Sequence, residues 1–189
     1  METPIRAHEL HFDAVHAYNG FSPKGDITGD PIYCNYGRKE DFDLLEQEAR
    51  LSVLGKICII RYGKIYRGNK VENAARAGCL AVIFFSDPSL TAPFGTESAK
   101  VYPNSVWMNG KAMQRGNAAL VSVRVVFQYI NEQKIVNIIF SIFSQGDLLT
   151  EGFPSISGGF RYDITSEDVR LPKIPSQPIG YDDARSILE

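Results

Sequence analysis

Two tripeptides of the same type, Arg67-Gly68-Asn69 and Arg115-Gly116-Asn117, carry the clearest chemistry in this sequence. In each, a glycine lets the backbone come close to a partner, leaving a guanidinium and an amide to face it. Arginine's planar fork matches a carboxylate and gives two parallel charge-assisted hydrogen bonds. Lys64 or Lys70, beside the first tripeptide, would deepen a positive field there. Residue types alone still favour the plainer reading, two ordinary surface turns. Other constellations are weaker. His8, His11 and His16 form the one histidine cluster, but a metal site needs ligands converging from a fixed scaffold, and this stretch precedes any recognisable element. GKIYRGNK lacks the G-x-x-x-x-G-K-[ST] spacing, and with it the lysine and hydroxyl of a phosphate loop. Gly-x-Ser-x-Gly, His-Glu-x-x-His and C-x-x-C do not occur. With every histidine in the first 16 residues, a Ser-His or Cys-His pair is hard to assemble.

The elements that must position the tripeptides follow from periodicity. DPIYCNYG (30–37) reads as a strand stopped by glycine. EDFDLLEQEARL (40–51) places Phe42, Leu45 and Ala49 at helical spacing, with acids in its first turn where the macrodipole favours them. KICIIRY (56–62) and CLAVIFF (79–85) are runs fit for buried strands. Between them GKIYRGN (63–69) is a loop or short strand, and KVENAARAG (70–78) a short helix burying Val71, Ala74 and Ala75, closed by Gly78. Strand alternating with helix predicts a sheet flanked by helices. Residues 121–130 and 135–143 suggest a hairpin, and 146–155 a loop. The tail LPKIPSQPIGYDDARSILE, with three prolines, reads as an extended connector running into a helix at Tyr181.

Twenty Lys+Arg against 22 Asp+Glu leave a net charge of −2, which excludes a basic nucleic-acid binder. At 189 residues the chain is long enough for a real core. Cys34, Cys58 and Cys79 have no metal-ligand spacing, and the apolar surroundings of the last two suggest buried free thiols. No secretory leader and no membrane-length apolar run is visible, so the chain as written would be soluble and cytosolic.

In order along the chain, AYNGFSPKGDITGDPIYCNYGRKEDFDLL, GKICIIRYGKIYRGNKVENAARAG, AVIFFSDP, QRGN, GDLLTEGFPS and LPKIPSQPIGYDDA resemble one family. This is the protease-associated domain of glutamate carboxypeptidase II and the N-acetylated alpha-linked acidic dipeptidases, with transferrin receptor a more distant relative. The resemblance covers nearly the whole chain except roughly residues 118–145, and RYGKIYRGNKV is its most specific run. It implies an α+β fold, a β-sandwich or open β-barrel with a few short helices. Residues 1–25 would be a lead-in, 26–170 the domain itself, and 171–189 a connector with the start of a peptidase-domain helix. It also implies a domain that roofs the pocket of a membrane-anchored, homodimeric ectoenzyme. In that family, the arginine matching Arg67 grips the α-carboxylate of a peptide ending in glutamate, and the asparagine matching Asn117 contacts the glutamate end. A structural calcium ion would take ligands from Thr150 and Phe153. Phe153 replaces the family's tyrosine, harmlessly if the ligand is its main-chain oxygen. The two zinc ions and their ligands would belong to a peptidase domain beyond residue 189, so this chain alone is expected to be an inactive fragment.

Residues 121–145 depart from the family, which links QRGN to the GDLLTEGFPS-like run by a short segment. A retained intron, an error of gene modelling and a genuine inserted hairpin remain open. The alternative function is a non-catalytic interaction module of transferrin-receptor type, which would not need a carboxylate clamp.

Overall fold

The computed structural model describes residues 16–120, 148–150, 155–164, 166, 169 and 171–189. The chain divides into two units, Met1–Ala118 with Pro172–Glu189, and Ala119–Leu171. The suggested hairpin at 121–143 lies outside the described residues.

The first unit is built on four parallel strands in the order β2-β3-β4-β6. These are β2 (Pro31–Tyr33), β3 (Ile57–Arg61), β4 (Ala81–Phe85) and β6 (Ser176–Ile179). Cys58 lies opposite Ile32 on one side and Val82 on the other, and Phe84 lies opposite Pro178. Because side chains alternate across a strand, one face carries Cys58, Ile60, Val82 and Phe84, and the other Ile59 and Phe85. Helices α1 (Lys39–Gln47) and α2 (Arg67–Ala77) cover the first face with Phe42, Val71 and Ala74. The second face is covered by α4 (Tyr181–Leu188), through Tyr181 and Ala184. Both faces being covered explains why β3 and β4 read as continuous apolar runs. A short helix, α3 (Pro88–Thr91), follows β4. A separate two-stranded parallel pair joins β1 (Asn19–Gly20) to β5 (Gly116–Asn117).

The mixed architecture expected from the sequence is present, with an open sheet, a strand pair and, among the described residues, no closed barrel. Gly78 closes α2 as anticipated, at φ 91°, where its N–H reaches the carbonyls of Ala74 and Ala75. Three local expectations change. Helix α1 ends at Gln47, so Ala49 lies beyond it and is exposed. The proline-rich connector contains strand β6, which tolerates its one proline, Pro178, because it sits at the sheet's edge. Cys58 and Cys79 are not free thiols: they form a disulfide, with Cα atoms 6.1 Å apart, a separation the bond accommodates. The turn from α2 into β4 brings Cys79 beside β3, a proximity that local composition does not reveal. Cys34 is free and buried, and burial pushes its thiol up to about 12, which leaves it inert at neutral pH.

In the second unit, Leu148 and Thr150 are buried, the Tyr162 N–H bonds the carbonyl of Leu149 at 2.7 Å, and the rings of Phe160 and Tyr162 meet edge to face.

Candidate functional site

Arg67 is the first residue of α2, not part of a free-standing turn. Tyr66 stands at the N-cap in extended backbone, with no side-chain cap, and no acid occupies the first turn. A cation near a helix N-terminus is unfavourable by about 0.3–1 kcal/mol. Helix stability therefore gives no reason for an arginine here, and its charge adds to the positive end of α2.

Strand β5 lies against this guanidinium. Gly116 must be a glycine, because a Cβ there would overlap Nη1 and approach Cζ of Arg67. Nη1 donates to the main-chain oxygen of Asn117 at 3.4 Å, and the guanidinium carbon stands 5.4 Å from the centre of the Tyr62 ring. Two tyrosines fasten β5 in place. The Tyr62 hydroxyl donates to the Gln114 carbonyl at 2.8 Å. The Tyr66 hydroxyl donates to the Asn117 carbonyl at 2.8 Å and lies 3.2 Å from its Oδ1. Burial pushes the Tyr62 phenol up to about 12 and also raises that of Tyr66, in both cases against the pull of the Arg67 charge. Both therefore remain protonated donors at physiological pH.

The fork of Arg67 is incompletely used. Its Nε is buried and has no hydrogen-bond partner, and among the described residues no carboxylate pairs with it. A guanidinium with one long hydrogen bond and one unpartnered donor can accept an anionic ligand without first breaking an internal ion pair. On the outer side Asn117 is exposed.

The two tripeptides thus meet, but unequally. Arg67, Gly116 and Asn117 come together. Arg115 instead donates from Nε to the carbonyl of His16 at 3.0 Å, and Gly68 is buried inside α2. Lys70 does not deepen a surface field, because it is fully buried on main-chain oxygens. Sequence reasoning missed the tyrosines; their signal was the spacing Tyr62-x3-Tyr66 immediately before Arg67. Of the calcium pair, Thr150 is buried and Phe153 lies outside the described residues. Among the described residues no three His, Cys, Asp or Glu converge as metal ligands. No helix among them is long and apolar enough to cross a membrane.

Gly116→Ala isolates the geometry. Its methyl should displace the guanidinium from the Asn117 carbonyl, and any carboxylate that this guanidinium receives should then bind at least about tenfold more weakly, a loss of roughly 1.4 kcal/mol. Calorimetric titration beside a thermal melt checks this, since the melt shows whether the fold survives.

Residues 19–121 match the family model described as PA domain. The chain is 30% identical over 179 residues to a glutamate carboxypeptidase 2 homolog of Caenorhabditis elegans, covering 93% of this chain and 20% of that protein. It is 30% identical over 187 residues to aminopeptidase NAALADL1 of Rattus norvegicus, covering 99% of this chain and 22% of that one. Among solved structures, a zinc aminopeptidase from Bacillus subtilis matches 85% of this chain at 15% identity and a TM-score of 0.38, over 21% of its own length. The chain spans about a fifth of the length of the curated relatives it matches.

Proposed function

Because the chain belongs to the PA domain family, and relatives at 30% identity bear glutamate carboxypeptidase and aminopeptidase names, we propose that it is the substrate-recognition domain of a zinc metallopeptidase. Arg67 receives the C-terminal carboxylate of an acidic peptide, and Asn117 contacts the adjoining glutamate end. The observation that carries this reading is the Arg67 guanidinium, held beside Asn117 with a buried Nε that nothing among the described residues satisfies. Leaving such a donor unpaired costs about 1–3 kcal/mol, a cost that an incoming carboxylate removes. A structural role would have supplied an internal acid, as Asp41 does for Arg38 and Asp87 for Arg61.

In this reading the bond-breaking chemistry, a metal-activated water, comes from a peptidase domain, and a calcium ion is held partly by Thr150 and Phe153. The peptidase domain, a second copy of the protein and the acidic peptide are the partners; nucleic acid is not. The Cys58–Cys79 disulfide supports an oxidising compartment over the cytosol expected from the sequence.

Titration with N-acetyl-aspartyl-glutamate, for the chain and for its Arg67→Ala variant, tests the proposal. Binding by the first and none by the second supports it. Equal binding, or none by either, removes Arg67 from recognition and leaves the interaction-module reading.

A further inference from the structure

Lys70 is fully buried, yet among the described residues it pairs with no carboxylate. Its ammonium donates to three main-chain oxygens: those of Tyr36, of Gly63 at 2.7 Å and of Arg61 at 3.2 Å. A buried charge is costly unless fully hydrogen-bonded, so a lysine serving only to fill space would be better replaced by methionine. The oxygens belong to two segments, the turn after β2 and the passage from β3 into α2. One helical turn along, Asn73 adds a bond to the Gly37 carbonyl at 3.1 Å. The second segment carries Tyr62 and Tyr66, whose hydroxyls fasten Gln114 and Asn117. Strand β5 in turn presents the Asn117 oxygen to Arg67 and lays Gly116 beneath the guanidinium.

We propose that Lys70 is a positioning residue for anion recognition: its three-way hydrogen bonding sets the Tyr62–Tyr66 segment, and through it the strand against which Arg67 is aimed. This rests on the carboxylate reading of Arg67. The charged and titratable groups around Lys70 are Asp41 of α1, Arg38 just before it and Arg61 of β3. The Tyr36 ring lies 5.5 Å from its Nζ, and Lys64 is 5.6 Å from that same ring. Burial, opposed by Asp41 and joined by Arg38 and Arg61, pulls the ammonium down to about 8.

A neutral amine has two N–H donors for three oxygens, so one bond is lost as pH rises through that value. Global stability moves the other way. Between about 8 and the ordinary lysine value the unfolded chain binds more protons than the folded one, so this group alone makes the fold more stable with rising pH. A loss of affinity in this window is therefore a change of positioning, not of folding.

The test uses the full chain labelled with 13C-tyrosine, the ring signals of Tyr62 and Tyr66 being assigned from Tyr→Phe variants. Between pH 7 and pH 9.5, without ligand, both rings should shift with a midpoint near 8 in the wild type. In Lys70→Met the step should be absent. Affinity for N-acetyl-aspartyl-glutamate should fall about tenfold in the variant, and should fall across the same pH step in the wild type. Tyrosine signals flat with pH overturn the inference, as does unchanged affinity in Lys70→Met where Arg67→Ala abolishes binding. If Arg67→Ala leaves affinity unchanged, the carboxylate reading fails, while the ring titration still reports on Lys70. If Lys70→Met does not fold, the wild-type titration decides alone.

Discussion

Replacing Arg67 by Ala should weaken binding of an acidic dipeptide by about 2–5 kcal/mol, the range for truncating one partner of a buried charge pair. That is roughly a 30- to 5,000-fold loss in affinity. The lower figure holds if water reaches the guanidinium through the exposed Asn117 side, and the upper if the peptide seals it. The fold should barely notice. Arg67 has no internal acid to orphan among the described residues, its hydrogen bond to the Asn117 carbonyl is 3.4 Å long, and it sits at the end of α2 where a cation is unfavourable. Arg67→Lys separates charge from shape. A lysine keeps the charge but has no fork, and its ammonium binds as a point charge, so it should recover part of the loss. Recovery of full affinity by lysine would mean that the site reads charge alone. Calorimetric titration of the three proteins, with melts run in parallel, measures both quantities.

The second large effect is on stability. The Cys58–Cys79 bond closes a loop of sequence separation 21, which removes chain entropy from the unfolded state worth roughly 3 kcal/mol. For a protein of this size that is a fall in Tm of about 6–12 °C on reduction. Both sulfurs lie in the core beneath α2, so a reductant should act slowly on the native protein and quickly once it is unfolded. Denatured without reductant, the chain should titrate one thiol, Cys34; after reduction it should titrate all three. Three thiols in the unreduced protein would contradict the bond and, with it, the preference for an oxidising compartment.

The frame was legible where one residue type has one physical use. The runs at β3 and β4 are apolar on both faces because helices cover both, and Gly78 marks the end of α2 because glycine occupies its left-handed geometry freely. The start of α2 was not legible. No Ser, Thr, Asp or Asn stands at its N-cap, so Arg67 read as a turn residue. Strand β6 was obscured by Pro178, a residue that an interior strand would exclude but an edge strand accepts.

The site was half legible. Both tripeptides were visible, but only tertiary structure shows that β5 passes under Arg67 with Gly116 as the point of contact, and that Arg115 is occupied by the His16 carbonyl. The roles of Tyr62, Tyr66 and Lys70 depend on bonds to residues seven to fifty-two positions away, which no local pattern encodes.

The most direct measurement compares two ligands that differ at a single group, N-acetyl-aspartyl-glutamate and its C-terminal α-amide, titrated into the same chain. If a guanidinium beside Asn117 receives the peptide's terminal carboxylate, the free acid binds and the amide loses most of that affinity, and the difference disappears in Arg67→Ala. Equal binding of acid and amide by the unaltered chain would contradict the account.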